Sequence, residues 1–221
     1  MKIIGINGSP RGKESTTRRL IEAILAGARE GGATTTFIDL GSTEIRYCSG
    51  CGLCYERGEC PKKDDFQKIF DDMLAAEGIV LGSPNYINSV TAQMKTFLDR
   101  MADAIHCQRF TGKYGCAVST AGGSRSDEVA NYLNETLRIL GANTVGGVSV
   151  DICGDEERLF AAGEQAYRLG QDLARAVAEG RPYPEQETFH REMEERMKAL
   201  VTAHKHVWKH EYDYWAKMGQ K

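Results

Sequence analysis

The chemistry in this chain concentrates between Tyr47 and Pro61, where four of the seven cysteines, Cys48, Cys51, Cys54 and Cys60, share one short stretch. Thiolates three residues apart recur at about one turn of backbone, so Cys48, Cys51 and Cys54 can face one small object. Cys60 closes the loop from the far side. The spacing C-x2-C-x2-C-x5-C followed by Pro61 is close to a run that holds iron-sulfur clusters, with a final gap of five residues where that run has three. Gly50, Gly52 and Gly58 let backbone amides approach the sulfurs, which stabilises negative charge on a cluster.

Other states of the same thiols compete. A structural zinc site usually pairs two C-x2-C knuckles across a long gap, whereas this run is compact and unbroken. Disulfides need an oxidising compartment, and nothing at the N-terminus resembles a signal peptide, so a cytoplasmic chain with reduced thiols is expected. A loop of free thiols without metal stays open beside the cluster. Of the other cysteines, Cys116 and Cys153 are expected to behave as small core residues, and Cys107 is the one expected at the surface.

A second chemical loop lies near the start. Lys2 to Asn7 reads as a buried strand, followed by Gly8-Ser9-Pro10-Arg11-Gly12-Lys13-Glu14-Ser15-Thr16-Thr17 and then a helix with apolar positions at Leu20, Ile21, Ile24, Leu25 and Ala28. Strand, polar glycine loop and helix N-terminus together bind phosphate through free first-turn amides and the helix dipole. Neither G-x-G-x-x-G nor G-x-x-x-x-G-K-[ST] is present, so the hydroxyl-lined loop suits a monophosphate rather than a dinucleotide or a triphosphate.

The elements that position these loops follow in order. Further strands are expected at Thr34 to Asp39, Gly78 to Pro84, Lys113 to Ser119 and Thr144 to Val150. Helices are expected after Asp64-Asp65 and at Val90 to Ala104, Asn131 to Leu140 and Glu156 to Glu179. Five strands alternating with helices predict an α/β fold with a doubly wound parallel sheet, and in the order 2-1-3-4-5 the exits of strands one, three and four converge at the switch point. A phosphate would rest on the first exit and a flat ring between the other two, near Tyr86 and the amides around Gly122. The net charge of -3 gives no reason to expect nucleic acid, and no apolar run is long enough to span a bilayer.

Gly8-Ser9-Pro10-Arg11, the cysteine run followed by Asp64-Asp65, Gly82-Ser83-Pro84-x-Tyr86, and the stretch from Ala92 to Arg100 resemble the iron-sulfur flavoproteins, within the wider NADPH-dependent FMN reductase group. The resemblance covers roughly Met1 to Glu179. It implies a flavodoxin-like fold and FMN held by Ser9, Arg11, Ser15, Thr16, Thr17, Pro84, Asn85, Tyr86, Ile87 and the loop of Ser119, Thr120, Ala121, Gly122 and Gly123. It also implies a [4Fe-4S] cluster on Cys48, Cys51, Cys54 and Cys60, fed by a ferredoxin-like donor. Asn85, where family members often have a small apolar residue, and the tail after Glu179 lie outside that carry-over.

The expected organisation is a domain over 1–180 and a helical extension over 185–221, joined by the linker Gly180 to Pro184. From Thr188 the tail reads as one helix with a stripe of Phe189, Met193, Met197, Leu200, Val201, His204, Trp208, Tyr212 and Trp215, expected to pack across a subunit boundary in a homo-oligomer. His190, His204, His206 and His210 are read as packed or solvated histidines rather than metal ligands. The functional expectation is an oxidoreductase that moves electrons between cluster and FMN toward a small-molecule acceptor, with no side chain assigned as general acid or base. An NAD(P)H-dependent FMN or quinone reductase without a cluster, and a non-enzymatic electron carrier or redox sensor, are the alternatives.

Overall fold

The computed structural model describes residues 1–218. Five strands, β1 (Lys2–Asn7), β2 (Thr34–Asp39), β3 (Gly78–Pro84), β4 (Tyr114–Ala121) and β5 (Asn143–Asp151), form one sheet in the order β2-β1-β3-β4-β5. Every ladder is parallel. β3 and β4 are buried along their whole length, which is why Ile79-Val80-Leu81 and Cys116-Ala117-Val118 read as unbroken apolar runs.

Helices cover both faces. On one, α1 (Thr16–Glu30) and α7 (Glu156–Glu179) pack Leu20, Ile21, Ile24, Leu173 and Ala174 against Ile3, Val80 and Val118. The other face carries α3 (Phe66–Leu74), α4 (Ala92–Leu98), α5 (Ala102–His106) and α6 (Ser126–Ile139) over Ile4, Ile79 and Leu81. The helix expected over Val90 to Ala104 is thus two helices, broken between Leu98 and Ala102. That break turns Arg100 inward, where it is 5% exposed.

The tail departs from its expected form. It is two helices, α8 (Pro184–Ala203) and α9 (Lys209–Met218), with a bend where His204 accepts the amides of Val207 and Trp208 at its carbonyl. Part of the stripe packs on its own chain, while His204 and Tyr212 stay exposed. Met197 and Val201 are buried, Gln186 bonds both backbone groups of Thr144, and Trp215 Nε1 donates to the His106 carbonyl at 3.0 Å. Glu211, fully buried, meets His106 Nδ1 at 3.1 Å. An apolar stripe needs only some apolar face to cover it, and the flank of α5 and α6 supplies one.

Candidate cofactor sites

The first strand's exit is organised by short polar bonds. Asn7 Oδ1 accepts the Ser9 amide at 3.3 Å, Ser9 Oγ accepts the Arg11 amide at 3.3 Å, and Ser15 Oγ caps α1 by accepting the Arg18 amide at 3.0 Å. Ser9, Ser15 and Thr17 are buried, Thr16 is half-buried and Arg11 is exposed. The capped helix start leaves the amides of Thr16 and Thr17 without intrahelical partners.

The three strand exits that the sequence brought forward are tied to one another. Thr17 Oγ1 and Thr120 Oγ1 share a hydrogen bond of 2.7 Å, and Thr16 Oγ1 reaches Thr120 Oγ1 at 3.3 Å. The Asn85 amide donates to the Thr120 carbonyl at 2.8 Å, while Asn85 Nδ2 donates to Ser124 O at 2.9 Å. Thr91 Oγ1, in turn, donates to Gly8 O. Pro84, Ser119, Thr120 and Ala121 are buried strand ends, and Gly122 and Gly123 are exposed just beyond them. A Cβ at Gly12, Gly122 or Gly123 would meet nothing within 4 Å, so the loops bound an open space.

Tyr86 and Ile87 form the rim. Tyr86 and Ser89 exchange both backbone bonds around a two-residue turn, with Ile87 at φ 51° and Asn88 at φ 57°. Tyr86 is 45% exposed and Ile87 99% exposed.

The cysteine loop leaves the carboxyl end of β2 and runs out to the break between α4 and α5. Its two stems are stitched together: the Arg46 amide donates to Asp64 Oδ2 at 2.9 Å, and the Glu44 amide donates to Asp65 Oδ2 at 2.8 Å. Within it, α2 (Leu53–Arg57) is flanked by Gly52 at φ 70° and Gly58 at φ 83°. These left-handed positions at both ends let a single turn of helix sit inside the loop, and a Cβ on Gly58 would collide with the His210 ring. Cys48, Cys51, Cys54 and Cys60 line one cavity of about 70 Å³ together with Lys62, Asp99 and Arg100. The Leu53 amide holds the Cys51 thiol below its usual range, and burial, reinforced by Asp103 and Glu211, pushes Cys54 up to about 12.

Arg100 closes the floor of that cavity. Its Nη1 pairs with Asp64 Oδ2 at 2.5 Å and donates to Arg46 O at 3.2 Å, and its guanidinium lies 4.3 Å over the Phe66 ring. Burial opposes the charge, but Asp64 and the neighbouring Cys60 outweigh it and raise the Arg100 pKa.

A model of the NADPH-dependent FMN reductase family matches residues 1–156, and an iron-sulfur flavoprotein of Archaeoglobus fulgidus is 34% identical over 226 residues, 99% of each chain. This chain belongs to that family. It is a flavin-dependent oxidoreductase of the FMN reductase group. A Methanocaldococcus jannaschii iron-sulfur flavoprotein is 37% identical over 190 residues, covering 80% of this chain and 97% of its own. Among solved structures, a flavone reductase superposes with a TM-score of 0.67 at 20% identity, covering 80% of this chain and 63% of that one, a likeness of fold.

FMN fits the cradle of this family member. The hydroxyl loop offers a phosphate site, open space lies over Gly122 and Gly123, and Asn85 Oδ1, buried without a partner, is an acceptor left for a guest. The cysteine cavity offers four thiols as ligands to a guest. Among the described residues, the group of three ligating side chains whose donor atoms approach within 4.8 Å of one another is Asp103, Cys107 and Glu211, and it includes none of the four loop cysteines. The loop sulfurs are thus spread more widely than one tetrahedral zinc requires, since bonds of about 2.3 Å bring its sulfurs to about 3.8 Å.

Two cysteines exchange their expected places. Cys107 is fully buried under the tail, its Sγ donating to Asp103 Oδ1 at 3.7 Å, because α9 covers the end of α5. Cys153 is exposed in a turn at φ 51°, its Sγ donating to Gly123 O at 3.1 Å in the loop after β4. The site residues that sequence reasoning left unassigned are Asn7, Thr91 and Arg100. A polar residue closing an apolar strand marks Asn7, whereas Arg100 turns inward only because the helix breaks after Leu98.

Proposed function

We propose that this flavoenzyme carries a [4Fe-4S] cluster on Cys48, Cys51, Cys54 and Cys60, binds FMN in the cradle of Ser9 to Thr17, Pro84 to Ile87 and Ser119 to Gly123, and draws electrons from a ferredoxin-like donor for a small-molecule acceptor. The observation that carries the reading is the cysteine cavity itself, which all four thiols line together beside the break between α4 and α5. When bound, the cluster would pass single electrons and FMN would store pairs, so one-electron input becomes two-electron output.

The chain's own part is holding and ordering. Ser15 and the first turn of α1 present amides to a phosphate, and the Thr17–Thr120 bond fixes the distance between two of the three loops. Asp64 and Asp65 hold the cysteine loop closed at its stems, so the loop is formed before any metal arrives. Reduced thiols suit a reducing, cytoplasmic setting. Tyr86 and Ile87, apolar and standing clear of the fold, suit the approach of a second copy over the flavin in a homo-oligomer. The 1–180 unit would then be the redox domain, with the described part of the 185–221 extension, 185–218, acting as a cover for its cysteine loop; 219–221 lie outside the described residues.

Anaerobic purification followed by iron and acid-labile sulfide analysis, with chromatography of heat-released flavin, tests the reading. Four irons and four sulfides per flavin and co-migration with FMN are expected. Zinc alone, or FAD, contradicts it. Turnover with reduced ferredoxin against NAD(P)H separates the proposed donor from the nicotinamide alternative.

A further inference from the structure

Arg100 is 5% exposed, and three of its contacts are spent on one nitrogen or on the face of the guanidinium: Nη1 serves Asp64 and the Arg46 carbonyl, and the flat face lies on Phe66. The remaining donors, Nε and Nη2, are buried with no partner. A buried guanidinium N–H left unpaired is costly, on the order of 1–3 kcal/mol or more for a charged donor. Arg100 lines the cavity of the four cysteines, and Cys60 is the thiol beside it. The planar fork cannot swing, because Asp64, Arg46 and Phe66 fix it from three sides.

Both partners of the pair stand in motifs that the sequence already set apart. Asp64 follows the cysteine run, and Arg100 closes the stretch from Ala92. The break between α4 and α5 is what lets Arg100 leave the helix surface and enter the cavity.

The geometry points to Arg100 as a positioning and tuning residue for the cluster, its free N–H groups donating to the Cys60 sulfur and holding a fixed positive charge against the site. Reduction adds one electron, hence one negative charge, to a cluster. A buried cation with directed hydrogen bonds favours that reduced form and raises the potential. The inference rests on the cluster reading above. Asp64 anchors the same guanidinium in place, and the guanidinium keeps its proton at any working pH.

The test uses the anaerobically purified holoprotein and two variants, Arg100→Lys and the neutral pair Asp64→Asn with Arg100→Gln. Lysine keeps a charge for Asp64 but has no rigid fork to reach Cys60 at the same time; the neutral pair leaves no charge unpaired if lysine fails to fold. Iron, sulfide and FMN contents are measured, and the reduced-cluster signal in electron paramagnetic resonance is titrated against potential. Expected is a full cluster complement with a one-electron reduction equilibrium roughly tenfold less favourable, about 59 mV more negative. An unchanged midpoint in a fully loaded variant overturns the inference. Loss of the cluster from both variants, with FMN retained, also overturns it, since Arg100 would then only hold the loop. A parent protein without iron and sulfide instead brings down the cluster reading itself.

Discussion

Ile87 holds a φ of 51°, a left-handed conformation that is a steric outlier for a β-branched residue, and it does so with its side chain 99% exposed. No packing in the described chain repays that strain, which is of order 1–3 kcal/mol. Ile87→Asn should therefore raise the thermal midpoint, by an amount corresponding to about 1 kcal/mol, while weakening FMN binding in fluorescence titration. A lower midpoint would show that the apolar tip stabilises the fold. Thr17→Val leaves the buried Thr120 hydroxyl with only the longer Thr16 contact, and should cost about 1–3 kcal/mol in urea denaturation. The polar loop itself was legible in the sequence because glycine and hydroxyls cluster there between an apolar strand and an amphipathic helix. Arg100 was not, since its inward turn depends on a helix break that apolar spacing does not encode. The exchange of Cys107 and Cys153 has a similar cause: burial there is decided by the docking of α9 and by a tight turn, both remote from local pattern.

At the scale of elements, the crossing of α1 and α7 governs how the flavin loop is held. Gly27 of α1 faces the Tyr167 carbonyl of α7, and Gly170 of α7 faces the Ile24 carbonyl of α1, so a Cβ at either position would drive into backbone. Close approach of two helices through glycine seats α1 tightly on the sheet, and with it the capped N-terminus at Ser15. Gly170→Ala should destabilise the fold by about 3 kcal/mol, read as a lower urea midpoint with unchanged slope. A variant of parental stability would mean that the helices can separate without loss. Strand order and helix alternation were readable because period and turn chemistry agree over the whole sheet. The two breaks in helices, after Leu98 and after Ala203, were not, because an apolar stripe continues across both.

Across the whole molecule, the tail is the feature that the sequence described least well, and it covers the cysteine loop. Trp208 stacks on His106 with ring centroids 4.9 Å apart and meets Tyr55 of α2 at 4.8 Å, while His210 packs against Gly58. Ending the chain at His204 should leave FMN bound but shorten the lifetime of the cluster absorbance in air severalfold. Burial pushes the Glu211 carboxyl up, against the opposing pull of His106. The folded chain then keeps a proton that the unfolded chain releases, so this group's contribution is present below about pH 4.3 and is lost as pH rises toward the raised folded value. Glu211→Gln should gain stability relative to the parent as pH rises above about 4.3 in urea midpoints, and a difference that stays constant with pH would contradict the assignment. The central claim is that electrons reach the flavin through the four-cysteine loop, and stopped-flow reduction of FMN in Cys54→Ala tests it most directly. The account predicts that this variant lacks cluster absorbance, keeps FMN, is reduced by dithionite and is not reduced by ferredoxin; reduction by ferredoxin at the parental rate would contradict it.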